Sequence, residues 1–371
     1  MRVGWIYPEK IKCGIAIYSK RYMSALKEHG IEIFQLPWNK RLQFDRCNPG
    51  LLNSCDLVHV QYEPGFFVRN GKDQYIKMCK TIKKPLVVTL HEVYEHFPGV
   101  YPRDLLKGPF LPLKKAMYDF KHPIQKAFVK HLSCHFRADM IFVHHEYQKN
   151  ILVNKGVESK GITVTGHPIQ NIKMLTPKSL GAKGHVEIGC AGFINPNYDY
   201  DLLFNVLKKL KINWKFTWVG GLRRSEDEGL LKSIQNKADS LQWKNKFRIT
   251  GWLGDSEFEK ALGNLDIALC LFSNRSSSES IGDLLRNGSM VITTDIPMSR
   301  EIYEKYKAVY LCASDPFSIC KGIETLYLDC DSRSRLLSAS KIYCKEHSYS
   351  DMAVVLKDKY QRILETKKRK E

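Results

Sequence analysis

The chain has 371 residues, enough for two domains with full cores, and no apolar run of about 18 residues that would span a membrane. Its 58 Lys and Arg outnumber its 39 Asp and Glu, and the formal net charge of +19 favours an anionic partner. The eleven Cys include no C-x-x-C pair, which argues against a zinc site and a disulfide framework and suits a reducing cytoplasm.

The first residues alternate between strand and helix patterns. Val3 to Tyr7 is predicted to be a strand, a loop with Gly14 leads into an amphipathic helix, and Ile31 to Leu36 is predicted to be the second strand. This β-loop-α-β order is typical of a doubly wound parallel sheet. Because the chain enters the first strand directly, we expect no signal peptide.

Two later strands of this half end in polar residues. One runs from Asp56 to Glu63, and the other runs from Pro85 to Glu92 and contains His91. Ligands of open α/β sheets bind outside the carboxyl ends of the strands, so we predict that Glu63 and His91 face a ligand crevice. A lone histidine is often structural, but this position at a strand end favours a functional role.

Residues 99–137 alternate basic and apolar side chains. The pattern predicts one or two basic amphipathic helices broken near Pro123. Such helices either pack their apolar face on the sheet or lie on an anionic membrane surface, and the sequence leaves both alternatives open. The next strand ends in His144 and His145, which point to opposite faces of a strand and so are not predicted to bind a metal together.

The domain boundaries follow from a change in composition. Residues 169–184 contain Pro, Gly, Ser and Lys without periodicity and are predicted to be a linker. It separates a first domain, residues 1–168, from a second domain, residues 185–348. Residues 349–371 are predicted to form a helix followed by a basic tail.

A second β-α-β series begins at Val186. Tyr200 to Lys211 is predicted to be a helix, and the D-x-D sequence of Asp199 and Asp201 opens it. Acidic residues are favourable at a helix N-terminus, so we interpret this pair as helix capping and predict no metal there.

The most informative stretch runs from Ile267 to Asp295. Ile267 to Phe272 is predicted to be a buried strand, and a helix that Gly288 ends follows a polar turn, with Ser276 and Glu279 in a capping box. A helix N-terminus at the carboxyl end of a parallel strand attracts phosphate. Arg275 adds a positive charge, and the pyrophosphate-binding turn is therefore predicted to comprise Arg275, Ser276, Ser277 and Ser278.

This stretch resembles the donor-sugar segment of the retaining GT-B glycosyltransferases of the family-4 kind. Those proteins carry E-x7-E, with the second Glu five residues before a Gly and a Val-Ile-x-(Ser/Thr)-Asp continuation. Here Asp283 stands five residues before Gly288, and residues 290–295 match the continuation. The first Glu position, which contacts the donor sugar in the family, holds Arg275, whereas Asp283 replaces the Glu that contacts the ribose.

The resemblance implies an α/β protein with the GT-B fold, in which two doubly wound Rossmann-like domains face a central cleft. It also implies that the helix of residues 349–371 crosses back to the first domain. It implies a hexosyltransferase-like enzyme that moves a sugar from a nucleotide-diphosphate sugar to an acceptor hydroxyl, with retention and without a metal or a further cofactor. The implied acceptor is a glycan or a lipid-linked saccharide, as in cytoplasmic polysaccharide biosynthesis, with the inner face of the membrane as a further location.

The same resemblance assigns roles to individual residues. His91 follows a Thr-x-His strand end and is implied to be the catalytic group that holds a sugar hydroxyl or bridges the leaving phosphate, while Glu63 is implied on the acceptor side. The implied donor-binding residues are Gly14, Gly251, Trp252, Leu253, Arg275, Ser276, Ser277, Ser278 and Asp283.

Two departures from the family motivate an alternative. Arg275 replaces a Glu, and residues 195–198 replace the Lys-Gly that precedes the donor helix, with Arg223 and Arg224 as further candidates for phosphate contact. The alternative is a non-catalytic GT-B protein that binds a sugar nucleotide or a polysaccharide. Nucleic acid is not a predicted partner, because no nucleic-acid-binding motif accompanies the basic charge.

Overall fold

A computed structural model of the chain describes residues 1–8, 13–38, 49–69, 72–97, 109–170, 180, 184–194, 198–223 and 225–369. It divides into two compact units: unit 1 contains residues 1–166 and 349–371, and unit 2 contains residues 167–348. A parallel six-stranded sheet lies at the centre of each unit. The predicted pair of doubly wound α/β sheets is therefore confirmed.

The sheet of unit 1 has the strand order β2-β1-β3-β6-β7-β8. The strand order reverses between β1 and β3, and such a switch point is where doubly wound sheets bind ligands. The strands are β1 (Arg2–Pro8), β2 (Glu32–Trp38), β3 (Leu57–Tyr62), β6 (Leu86–Leu90), β7 (Met140–Val143) and β8 (Ile162–Val164), with a hairpin of β4 (Val68–Arg69) and β5 (Lys72–Asp73). The helices are α1 (Gly14–Glu28), α2 (Pro49–Asn53), α3 (Pro64–Phe67), α4 (Tyr75–Thr81), α5 (Leu111–Lys121), α6 (Pro123–His135) and α7 (Glu146–Asn154).

The sheet of unit 2 has the order β11-β10-β9-β12-β13-β14, which is the strand order of a dinucleotide-binding Rossmann sheet. Its switch point lies between β9 and β12. The strands are β9 (Val186–Ala191), β10 (Trp214–Val219), β11 (Phe247–Ile249), β12 (Ile267–Cys270), β13 (Met290–Thr294) and β14 (Tyr310–Cys312). The helices are α8 (Tyr200–Lys209), α9 (Glu228–Ser240), α10 (Asp255–Gly263), α11 (Glu279–Arg286), α12 (Pro297–Tyr306), α13 (Pro316–Leu328) and α14 (Cys330–Glu346).

The last helix, α15 (Tyr349–Lys368), belongs to unit 1 and packs on α1. A buried polar contact fixes it to the sheet: the Tyr360 hydroxyl meets His59 Nδ1, and His59 Nε2 lies 2.7 Å from Thr89 Oγ1. His59 and Tyr360 are fully buried, so these bonds satisfy groups that water cannot reach. Most of the predicted linker, residues 171–179 and 181–183, lies outside the described residues.

Several predicted boundaries differ from the structure. α8 ends at Lys209 rather than Lys211, and β12 ends at Cys270 rather than Phe272. The predicted capping box is wrong, because Ser278 is the N-cap of α11 and Glu279 is its first residue, too close for the reciprocal hydrogen bonds. Asp199 does cap α8, since its carboxylate accepts a hydrogen bond from Leu202 N at 2.8 Å.

The basic stretch forms two helices of different character. α6 begins at Pro123, where the break was predicted, and it buries Phe128 and Leu132 in the core of unit 1. On and just before α5, by contrast, Phe110, Leu113 and Met117 are 73%, 60% and 52% exposed. Within the described residues, no helix is long and apolar enough to cross a membrane.

Candidate functional site

The switch point of unit 2 brings the turn after β9 to the N-terminus of α11. A Cβ on Gly192, the residue after β9, would lie 3.8 Å from Ser280 Oγ. Ser276 and Ser278 are buried there, and the Ser278 and Ser280 hydroxyls are 3.2 Å apart. The first N–H groups of a helix lack partners within the helix and carry its positive dipole end, so this corner suits an anionic ligand.

Glycines allow the neighbouring turns to approach this corner. Gly220 has a φ of +137°, and a Cβ on it would lie 2.2 Å from the carbonyl oxygen of Gly192. A Cβ on Gly221 would lie 3.1 Å from the Cα of Gly251. The turns that follow β9, β10 and β11 therefore contact one another through backbone atoms. A side chain at Gly220 would prevent this contact.

An aromatic pair borders the same edge of the sheet. Trp252, which is 48% exposed, lies 5.4 Å from Phe193 between ring centroids and donates its indole N–H to the carbonyl of Leu222 at 2.9 Å. The Arg223 guanidinium lies 5.8 Å from the Phe193 ring. An exposed indole held in place by a hydrogen bond offers a flat face to a ring-shaped ligand.

Arg275 lies between the end of β12 and the serine turn, which is formed by residues 276–278. Its guanidinium carbon is 5.8 Å from the centroid of the Phe272 ring. Burial raises the pKa of the Cys270 thiol to about 12, and the positive charge of Arg275 opposes that rise. The sequence-predicted cation is therefore close to the carboxyl end of β12. Arg224, the other predicted candidate beside Arg223, is outside the described residues.

Asp283 has a partner that the sequence analysis did not predict. Arg286, whose side chain is 3% exposed, donates from Nε to Asp283 Oδ1 at 2.9 Å and pairs through its terminal nitrogen with Glu259 of α10. Two carboxylates thus surround one buried guanidinium. The i, i+3 spacing of Asp283 and Arg286 on a helix is the sequence signal that could have revealed half of this triad.

In unit 1, three strand ends gather polar side chains around His91. His91 is buried, and its Nε2 lies 2.9 Å from Gln61 Oε1. Its ring and that of Tyr18 of α1 are in a T-shaped arrangement at a centroid distance of 4.6 Å, and the His144 ring lies 5.4 Å away. The structure therefore surrounds this predicted residue with three side chains that the sequence analysis did not select: Gln61, Tyr18 and His144.

The remaining predicted residues have clear local positions. The Glu63 carboxylate accepts a hydrogen bond from Gly65 N at 3.0 Å at the start of α3. Gly14 is the first residue of α1, and Leu253 lies one residue before Gly254, the N-cap of α10.

His145 is the N-cap of α7. No group of three or more His, Cys, Asp or Glu in the described ranges could hold a metal ion.

Comparison with known proteins shows which family model and which solved structures this chain is similar to. Residues 175–342 match the family model described as glycosyl transferases group 1. Anabaena Alr3699/HepE, solved with UDP and glucose, is similar in structure with a TM-score of 0.72 and 12% sequence identity, over 98% of this chain and 100% of that one. Sucrose-phosphate synthase from Thermosynechococcus elongatus gives a TM-score of 0.71 and 11% identity, over 99% and 100%.

A trehalose-6-phosphate synthase analysed for glycosyl transfer with retention gives a TM-score of 0.66 and 9% identity, over 98% of this chain and 99% of that one. None of the curated protein sequences compared with the chain matches it. The two Rossmann-like sheets and their similarity to these structures define the GT-B fold. Residues 175–342, most of unit 2, are thus similar to glycosyl transferases group 1 within a chain of the GT-B fold.

Proposed function

We propose that the protein transfers a sugar from a nucleotide-diphosphate sugar to an acceptor hydroxyl, with retention of configuration and without a metal ion. The observation that carries this proposal is the corner at the switch point of unit 2, where Arg275 and the serine-lined N-terminus of α11 follow β12. As the sugar leaves, negative charge grows on the diphosphate. A guanidinium and oriented N–H groups stabilise that charge, which is the task a metal performs in other transferases.

From the same geometry we propose contacts for the rest of the donor. The exposed indole of Trp252 is the stacking surface for the nucleobase, beside the turns of Gly251 and Leu253. The Asp283 carboxylate, held by Arg286, accepts a ribose hydroxyl. In unit 1 we assign Gly14 to donor binding, His91 to a hydroxyl of the donor sugar and Glu63 to the acceptor. HepE solved with UDP and glucose supports a nucleotide sugar as the donor class.

The direct test is activity of the purified chain on a panel of nucleotide sugars in the presence of a chelator. We expect release of a nucleoside diphosphate from at least one donor. NMR of the sugar formed should show the anomeric configuration of the donor. Release that depends on an added divalent ion would contradict the metal-free part of the proposal, and inversion would contradict retention.

Replacing Arg275 with Gln is expected to lower the turnover number about 100-fold, because the charge of the leaving diphosphate loses one fixed cation. Thermal unfolding of each variant, measured alongside turnover, separates a loss of catalysis from a loss of folding. Arg248→Gln, at an exposed position on β11, is the matched control and should keep full turnover. Equal turnover in both variants would show that Arg275 does not serve the leaving group.

One observation favours a second candidate function. The carboxylate at the ribose position, Asp283, is engaged by Arg286 within a buried triad, and Arg275 stands where the family has a sugar-binding Glu. A GT-B protein that binds a sugar nucleotide or a polysaccharide without transferring the sugar would fit both features. Tight binding of a nucleotide sugar without any release of nucleoside diphosphate would favour this alternative.

We also propose that unit 1 contacts an anionic membrane surface at the cytoplasmic face, where a lipid-linked saccharide would be the acceptor. Leu113 and Met117 are four residues apart on one face of α5, and the exposed Phe110 directly precedes the helix. Lys121 and Lys126 are exposed where α5 meets α6. An exposed apolar face with flanking lysines is typical of helices that lie on anionic lipid.

Flotation with lipid vesicles tests this contact. The chain should bind vesicles that contain phosphatidylglycerol but not vesicles of phosphatidylcholine alone, and binding should weaken with salt. Changing Phe110, Leu113 and Met117 to Ser should reduce binding about tenfold or more, because apolar area is no longer buried in the lipid. The control changes Phe317 and Leu328, both 77% exposed on unit 2, to Ser. Equal losses in the two variants would refute a specific α5 surface.

A further inference from the structure

Gln61 meets His91 because of the register of the sheet in unit 1. Gln61 of β3 pairs with Thr89 of β6, and Thr89 pairs with Phe142 of β7. Side chains alternate along a strand, so His91, two residues after Thr89, lies on the same face as Gln61. His144, two residues after Phe142, lies there too.

Packing holds the His91 ring in one orientation. The Tyr18 ring lies against it in a T-shaped arrangement with an interplanar angle of 85°, and the His144 ring is inclined to it by 53°. His144 is itself fixed, because its Nδ1 lies 3.0 Å from the carbonyl oxygen of Gly166. Gln61, His91 and His144 are each at most 4% exposed, so water does not compete for these contacts.

The Gln61 contact selects a tautomer. The atom that faces His91 Nε2 is Oε1, a carbonyl oxygen, which can only accept a hydrogen bond. Nε2 must therefore carry the proton, and in a neutral ring Nδ1 is then the nitrogen with the lone pair. The group bonded to one ring nitrogen thus decides the chemistry of the other.

The second amide atom of Gln61 shows that the residue does more than fill space. Its Nε2 is buried and has no hydrogen-bond partner among the described residues. A buried donor without a partner is costly, and an apolar side chain of the same shape would avoid that cost. A glutamine at this place is therefore explained by what its carbonyl does for His91.

We propose that Gln61 is a positioning residue that fixes His91 as the Nε2–H tautomer, so that His91 accepts a hydrogen bond from a hydroxyl of the donor sugar rather than donating one to the leaving phosphate. This inference rests on the proposed function for the identity of the ligand. The tautomer of His91 is independent of the proposed function, because it is a property of the protein without ligand.

The tautomer can be measured directly. In the full chain labelled with 15N-histidine, long-range 1H–15N correlation spectra distinguish protonated from unprotonated ring nitrogens, and the His91→Asn variant identifies the signals. We expect the Nε2–H form in the wild type and a mixture of tautomers in Gln61→Leu. A wild-type Nδ1–H form, or an unchanged tautomer in Gln61→Leu, would overturn the proposal.

Gln61→Glu provides a second readout and keeps the shape of the side chain. A carboxylate beside Nε2 stabilises the imidazolium, so the acid limb of the pH–activity profile should move to higher pH. Tyr18 and His144 are the other titratable groups packed against the ring, and both are unchanged in this variant. The control is Gln125→Glu, another buried glutamine of unit 1, whose Oε1 accepts a hydrogen bond from Phe97 N at 2.8 Å. It should leave the His91 signals and the profile unchanged.

Deoxy analogues of the donor test whether His91 contacts a hydroxyl of the donor sugar. Wild type should discriminate by about tenfold between a donor sugar and the deoxy sugar that lacks the contacted hydroxyl, and Gln61→Leu should lose that discrimination. Equal discrimination in both proteins would overturn the hydroxyl assignment. If the wild type acts on no nucleotide sugar, the proposed function fails and the hydroxyl assignment fails with it, whereas the spectra still decide whether Gln61 fixes the tautomer.

Discussion

Lowering the pH from about 7 to about 5 is expected to destabilise unit 1 by about 6 kcal/mol, through three buried histidines that must stay neutral in the folded protein. Burial lowers the pKa of His59 to about 3. Burial, with the nearby His131, lowers the pKa of His135 to about 3. Burial likewise lowers the pKa of His144 to about 3, although the carbonyl of Gly166 opposes this shift.

The sign follows from proton uptake. In the unfolded chain a histidine has a pKa of about 6.5, so between about pH 6.5 and about pH 3 the unfolded state binds more protons than the folded state. Stability is therefore fully present above about pH 6.5 and is lost as the pH falls towards 3. At about pH 5 each histidine accounts for about 2 kcal/mol, and the sum is comparable to the whole stability of an ordinary domain.

Chemical denaturation at a series of pH values measures this loss, and hydrogen exchange of peptides from β3, β6 and β7 assigns it to unit 1. His59→Gln is the informative variant, because a neutral amide can still meet Tyr360 and Thr89. Its pH dependence should be smaller than that of the wild type by about 2 kcal/mol between about pH 7 and about pH 5. A wild-type unfolding free energy that is flat over this range would contradict the prediction.

Replacing Arg286 with Met is expected to destabilise unit 2 by about 3–5 kcal/mol. The guanidinium pairs with both Asp283 and Glu259, and its removal takes this partner from two carboxylates in a mostly buried setting. Neither carboxylate can be hydrated well there, so much of the loss is the cost of unpaired charge rather than the value of the ion pair.

A charge-free version of the triad separates these two effects. Arg286→Met combined with Asp283→Asn and Glu259→Gln should recover most of the lost stability, because no ionised group remains without a partner. The control is Arg300→Met, which removes an ion pair to Asp295 that is largely exposed, and its denaturation midpoint should hardly change. A single variant as stable as this control would mean that the triad is not a stabilising unit.

The architecture could be predicted from the sequence because its signals are local and repeated. Apolar runs such as residues 267–270 and 86–90 are typical of parallel strands, and the polar residues that follow them indicate the edge of the sheet where ligands bind. The same reasoning selected His91 and the serine turn. The start of α11 was misplaced because Ser276, Ser277 and Ser278 are all good N-cap residues, and the sequence offers no means of choosing between them.

The partners of these residues could not be predicted, because they come from distant parts of the chain. Gln61 reaches His91 only through the register of β3 and β6, and a shift of one residue would turn it to the other face. Glu259 meets Arg286 across 27 residues of sequence. Burial was equally hidden: α5 and α6 have similar patterns of basic and apolar residues, yet the structure buries Phe128 and Leu132 of α6 and exposes Leu113 and Met117 of α5.

The position of α15 has a consequence for how the molecule is made. The ribosome synthesises residues 1–166 first, but Tyr360, which bonds to His59 in their sheet, is added only after all of unit 2. While the nascent chain grows, unit 2 can complete its core before α15 is made. Until then, His59 lacks its Tyr360 partner in unit 1, and the side of α1 that packs on α15 stays exposed. Truncating the chain before residue 349 should therefore leave a folded unit 2 beside a first unit that is trapped by chaperones.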